Sequence, residues 1–323
     1  MSSVNYIIYN INFTIFYSVN YSMIYLIKED WNNLILSKLS ENESFNEQFL
    51  ELKKMHQAFH FFINKMSQTK EKIKNEYQNL RNNLFIASMA IFHKYRICSN
   101  FSLNKYSSEE LYIIIGACIF IAQKAINALW LTSKEFSDII QAVLQKKEPN
   151  KKIIIDEIKE KIKNKEIEIL ALIGFNIDVD SPVSFCNKVK NYISKTYLNL
   201  KSDNLFELLK IFMDDSLILP LSLYYTPNTI TISCILSLKK KFNLQYINIK
   251  ELISLSDYYL DLGEIQECTS LINKLENANK EYYNELKNKT KESSNIKTND
   301  TNTMNSDKAS VTKVIPSIKM NID

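Results

Sequence analysis

The sequence predicts an all-α fold of two five-helix repeats with flanking N- and C-terminal helical segments, and three observations carry that expectation. From Asn42 onward, apolar residues recur three and four apart, the spacing of one helical face. The stretch LYIIIGACIFIAQ, Leu111 to Gln123, carries no charge and is followed by Lys124. It is shorter than the ~20 residues a bilayer span needs, so it reads as a helix enclosed on all sides by other elements. The second half of the chain then echoes the first. IIIGACIFIAQK (Ile113 to Lys124) aligns with TITISCILSLKK (Thr229 to Lys240), so that Ile114 meets Ile230, Cys118 meets Cys234, Ile119 meets Ile235 and Lys124 meets Lys240 at a constant offset.

Along the chain, residues 1–27 hold no charged side chain and four asparagines, Asn5, Asn10, Asn12 and Asn20. Amides inside an apolar run make membrane insertion costly, so an extension that packs on the body or is partly disordered is expected over a signal or membrane anchor. Phe45 to Met66 follows as a helix with Leu50, Leu52, Met55, Phe59, Phe62 and Ile63 inward, and Leu80 to Ile97 as the next. Ser107 and Glu110 form a capping box that opens the uncharged run, with Tyr106 and Leu111 at the staple positions. Thr132 and Glu135, stapled by Leu131 and Phe136, open a fourth helix. A fifth follows Pro149 and stops at Gly174, the residue type that closes helices. After the linker FNIDVDSPV, Ser181 and Pro182 start the second repeat, and Pro227 opens its central helix. The expected divisions are 1–42 (N-terminal extension), 43–178 (first repeat), 179–276 (second repeat) and 277–323. The last is the end of a helix and then a polar tail too poor in apolar residues to order itself.

Composition narrows the chemistry. Of 323 residues 46% are hydrophobic, enough to fill the cores of two ordinary domains. With only Gly116, Gly174 and Gly263, no glycine-rich loop for cradling phosphates can be assembled. Five scattered cysteines, Cys98, Cys118, Cys186, Cys234 and Cys268, form no CxxC and read as buried hydrophobes of a reducing compartment. His56 and His60 stand four apart on one helical face. The glutamate of HExxH is missing and no third ligand is near in sequence, so a pair of histidines on a partly buried face is expected and no metal site. No serine or cysteine nucleophile carries a motif. The expectation is therefore a non-enzyme with no catalytic residues and no cofactor. A net charge of +4 spread along the chain gives no case for direct nucleic-acid binding. In KKEPNKKIIIDEIKEKIKNKEIE, bases and acids alternate as on a solvated helix face.

The two repeats, the ACIFIAQK helix and the closing stretch EIEILALIGFNIDVDSP resemble the cyclin family over roughly residues 43–276. In the first repeat the resemblance rests on Ala117, Cys118, Phe120, Ala122 and Lys124, and on Glu166, Ile169, Leu170, Phe175 and Pro182. The stretch DDSLILPLSLYYTPNTITISCILS is most similar to the cyclin H branch, whose extra terminal helices Trp31 and a long helix at 264–289 would suit. The resemblance implies a regulatory subunit that binds and activates a cyclin-dependent kinase of the CDK-activating, transcription-linked type. It also implies a third assembly subunit, a transcription factor H complex, and a nuclear location with the cytoplasm left open.

Lys124 and Glu166 are the implied kinase-binding residues. In cyclins the third and fifth helices press the kinase C-helix inward so that its glutamate pairs with the ATP-binding lysine. Read from the residues alone, Lys124 only snorkels out of a buried helix and Glu166 is one acid in a solvated stretch. Two departures stand out: Ala125, Ile126 and Asn127 replace the acidic residues that usually follow the lysine, and the substrate-docking Met and Arg of cell-cycle cyclins are not visible. Alternatives are another transcription-type cyclin, a cyclin-fold general transcription factor or a helical scaffold. A promoter-binding factor would be expected to carry an N-terminal zinc ribbon, and no cysteine precedes Cys98.

Overall fold

The structure, a computed structural model, describes residues 42–68, 76–99, 101–127, 132–147, 149, 154–179, 183–196, 202–244 and 247–299. Among them the chain forms ten α-helices and no strand. The first five are α1 Asn42–Gln68, α2 Glu76–Ser99, α3 Ser108–Ala125, α4 Ser133–Lys147 and α5 Ile155–Leu172. The second five are α6 Val183–Thr196, α7 Ser202–Ser216, α8 Pro227–Lys241, α9 Ile249–Ser254 and α10 Leu262–Asn299. Short 3₁₀ turns at Leu103–Lys105 and Leu221–Leu223 lead toward α3 and α8.

The uncharged run is the third helix of the first five. Its start is fixed as the sequence requires: Ser107 Oγ accepts from Glu110 N at 3.3 Å, and Glu110 Oε2 accepts from Ser107 N at 2.8 Å. Ile113 through Gln123 are then buried without a break, because α2, α4 and α5 pack on α3 and the ring of Phe62 on α1 meets Tyr112 at 5.2 Å. Gly116 permits the closest of these approaches, since a Cβ there would lie 2.5 Å from Cε1 of Phe136. Thr132 and Glu135 cap α4 with the same reciprocal geometry, at 3.3 and 2.8 Å.

α8 occupies the same place in the second five. Thr226 caps it, accepting from Thr229 N at 3.1 Å, and Pro227 stands in its first turn. Ile230, Ile232, Cys234, Ile235 and Leu238 are buried, and α6, α7 and α9 pack around them. α10 joins them through Ser233 Oγ, which donates to the main-chain oxygen of Ile265 at 3.1 Å. Thr231 lies fully buried because its hydroxyl bonds back to Pro227 O at 2.8 Å.

Two readings from the sequence change. In α1 the inward stripe runs through Phe49, Leu52, Met55, Phe59, Phe62, Ile63 and Met66, and Leu50 faces solvent at 39% exposure. The helical rotation that buries Phe49 turns its neighbour outward. α10 continues to Asn299, ten residues past the helix expected at 264–289, so the first part of the stretch expected to be a disordered polar tail is helical. Between Gly263 and Pro316 the sequence holds neither glycine nor proline, and nothing stops the helix. Residues 1–41, with Trp31, and residues 300–323 lie outside the described residues. The chain divides into two compact units between Ala278 and Asn279, within α10, so the first set and α6 to α9 share one unit. Among the described residues no helix is long and apolar enough to cross a membrane.

The sets meet where α7 ends. Carbonyls of a last helical turn have no partner within the helix, and side chains of the first set supply donors here. His56 Nε2 donates to Asp214 O at 3.0 Å, His93 Nε2 to Leu217 O at 2.9 Å, and Lys53 pairs with Asp215 at 3.2 Å. A cleft of about 440 Å³ runs beside this joint, lined by Ile86, Lys94, Ile173, Leu217 and Tyr224 among others.

His93 is fully buried, and burial pushes its pKa down from 6.5 to about 3. The folded state thus keeps it neutral while the unfolded chain takes up a proton below pH 6.5. Stability is complete above that pH and falls as the pH drops toward 3, by about 1.4 kcal/mol per unit from this group. Urea unfolding followed from pH 7.5 to 4.5 should show this decline, and His93→Gln should make it shallower without abolishing it, because burial also lowers the pKa of His56, to about 4. Constant stability across that range would contradict the assignment.

Candidate functional site

Lys124 and Glu166 reach one another from different helices. α5 buries a single stripe of Ile158, Ile162, Glu166 and Ile169, spaced four, four and three apart. An acid in that stripe is an anomaly, because burying a carboxylate without a charged partner is costly. The partner is Lys124 in the last turn of α3, whose Nζ lies 2.7 Å from Glu166 Oε2. The lysine also sits at the carbonyl end of its helix, where a cation is favoured. Its side chain is 56% exposed and that of Glu166 11%, so the pair stands at a surface with its acid rooted in the core. Hence the solvated-face reading of this stretch holds for Glu157, Glu160 and Lys163, which are exposed, and fails at Glu166. Glu109 at the start of α3 and Lys161 tie the two helices at a second point, 2.7 Å apart.

The other residues of the cyclin resemblance mostly lie in the core. Ala117, Cys118, Phe120, Ala122 and Ile169 are buried, and burial raises the thiol pKa of Cys118 far above its usual range. Phe175 behaves differently. α5 closes with Gly174 in the left-handed region (φ 61°), with Gly174 N bonded to Ala171 O and Phe175 N to Leu170 O at 3.2 and 2.8 Å. Phe175 itself has φ 56°, uncommon for a side chain with a Cβ, and is 62% exposed. Pro182 lies outside the described residues.

In the second set Lys240 is exposed, and the following residue, Lys241, makes the corresponding link between third and fifth helices by pairing with Glu276 on α10. The two lysines are neighbours in sequence, so the repeat spacing alone does not separate them.

His56 and His60 present what the sequence concealed. Asp214 of α7 meets both, supplying the third donor that was absent nearby in sequence, and one ligand atom from each residue lies within 4.8 Å of the others. Burial lowers the pKa of His56 to about 4, so its ring is neutral near pH 7. The only clue in the chain is the acid pair Asp214–Asp215 at the end of an amphipathic run, and more than 150 residues hide its destination.

No family model matches the sequence, and no curated protein matches it. Among solved structures, one similar chain belongs to the CAK complex from Chaetomium thermophilum bound to ATP-gamma-S. It has TM-score 0.44 and 14% identity, and the match covers 80% of this chain and 78% of that one. Another belongs to the yeast TFIIK (Kin28/Ccl1/Tfb3) complex, with TM-score 0.42, 16% identity, and 69% and 86% of the respective chains covered.

Proposed function

We propose that the chain is a cyclin-type regulatory subunit that binds and activates a cyclin-dependent kinase, in the manner of the cyclin H branch, and has no catalytic activity of its own. The observation that carries this reading is the Lys124–Glu166 pair, at 2.7 Å, joining the third and fifth helices of the first five-helix set. Those are the positions that the sequence resemblance implies for contact with the kinase C-helix. A carboxylate anchored among Ile158, Ile162 and Ile169 and a lysine with two further N–H donors can hold polar groups at a partner's helix end. The proposed role is positional: the surface of α3 and α5 sets the kinase C-helix, and ATP and magnesium belong to the kinase. A third assembly subunit and a nuclear, transcription-linked setting belong to the same proposal.

Affinity purification of the full chain, with identification of bound proteins and a phosphotransfer assay, tests it. The expected result is a co-purifying kinase whose activity depends on the chain, and no ATP turnover by the chain alone. Phosphotransfer by the isolated chain, or purification with no kinase bound, would overturn the proposal.

A further inference from the structure

The joint between the helix sets holds a donor cluster that plays no part in the kinase reading. His56 and His60 stand one turn apart on α1, and Asp214 lies in the last turn of α7. Both imidazoles aim Nε2 at this one residue: His56 at its main-chain oxygen, 3.0 Å away, and His60 at its carboxylate Oδ2, 2.8 Å away. The ring of Phe85 packs against both, with centroids 5.1 Å from His56 and 3.9 Å from His60, and restricts their rotation. Lys53 takes the neighbouring carboxylate, Asp215, at 3.2 Å. A cavity of about 270 Å³ opens on the cluster, its wall including His60, Asp214 and Cys186.

We propose that His56, His60 and Asp214 form a binding site for a divalent transition metal, zinc by donor type, with the fourth position filled by water from the cavity. Two imidazole nitrogens and a carboxylate are a zinc donor set, and the cavity leaves a position open. Around tetrahedral zinc, donors at about 2.0–2.1 Å from the metal lie roughly 3.3 Å apart, so the His60–Asp214 contact, at 2.8 Å, must widen while donors as much as 4.8 Å apart draw together around the ion.

When the metal enters, a neutral imidazole that coordinates through Nε2 carries its proton on Nδ1 instead, and a protonated one releases a proton to solvent. Arg81 on the cavity wall opposes a cation, while Lys210 is paired with Glu207 at 2.8 Å. Affinity therefore rests on the two imidazole nitrogens together with the Asp214 carboxylate. The bound ion would cross-link α1 to α7, and so one helix set to the other.

The test uses the full chain, prepared without a histidine tag, and needs no kinase. Cobalt(II) titration should give visible bands of a four-coordinate site that saturate at one equivalent. Zinc should abolish those bands and raise the melting temperature above that of EDTA-treated protein. His60→Asn and Asp214→Asn change partly exposed side chains. Each should weaken binding by more than the ~10- to 100-fold that loss of an outer-shell contact costs. Should Asp214→Asn fail to fold, His60→Asn alone decides. No saturating cobalt band and no zinc-dependent melting shift in the wild type, or an unaltered band in folded His60→Asn, would overturn the proposal.

Discussion

Lys124→Ala and Glu166→Ala should each leave a folded chain that binds its kinase roughly 30-fold to several thousand-fold more weakly. That range follows from the ~2–5 kcal/mol lost when one member of a desolvated charged contact is removed. The pair spans 2.7 Å, and Glu166 is rooted in the apolar stripe of α5. Removing Lys124 therefore leaves an acid with no cation on it, and Glu166→Gln serves as the milder companion that keeps shape and volume. Because both charges serve one site, the double variant should cost less than the sum of the singles.

Were the pair mere surface decoration, exchanging the exposed lysine would change stability by less than about 0.5 kcal/mol and nothing else. Lys240 and Lys241 are the internal controls from the second set. Lys240 is exposed, and Lys241 repeats the link between third and fifth helices through Glu276. Titrating purified kinase with each folded variant, and reading binding and phosphorylation together, separates the cases. Wild-type affinity in both single variants, or a larger loss at Lys240 than at Lys124, would sink the assignment of the partner-facing surface.

Cys118→Glu should abolish cooperative folding. The side chain is completely buried in the middle of α3, with Ile114, Ile115, Ile119 and Ala122 of the same helix also fully enclosed. No cation is paired there; the lysine of α3 lies nearly two turns further on and is engaged by Glu166. An unpaired buried carboxylate costs several kcal/mol, comparable to the ~5–15 kcal/mol that holds a domain together. Circular dichroism during thermal unfolding checks it, and a sharp transition near that of the wild type would show that α3 does not organise the first set. Cys118→Ala, which removes only the thiol, should fold.

The helices were legible in the sequence wherever a local rule decided them. Capping boxes at Ser107 and Thr132, the closing Gly174, and Pro227 in a first turn all act within a few residues of themselves, and the structure uses each. The depth of α3 was equally plain, since a helix without a polar face has only one stable place. What stayed hidden depends on a few degrees of rotation or on distant neighbours. Phe49 and Leu50 compete for one inward position, and only the packed helix chooses between them. Glu166 looks like any acid in a lysine-rich run until α3 arrives beside it. Asp214 is invisible as a partner of His56 and His60 because the chain travels through five helices before returning. The length of α10 escaped because composition argued for disorder while the absence of any breaker let the helix run on.

The donors at the end of α7 bear on how freely the chain can be divided. The carbonyls of Asp214 and Leu217 are met by His56 and His93, and His93 is buried. Two halves drawn to one plan are thus not interchangeable modules. A cut in the linker near residues 179–183 would strip the second half of its helix-end donors and open the apolar surroundings of His93 in the first. The fragments would be sticky halves with unfinished hydrogen bonding, so the two sets should fold together and not apart.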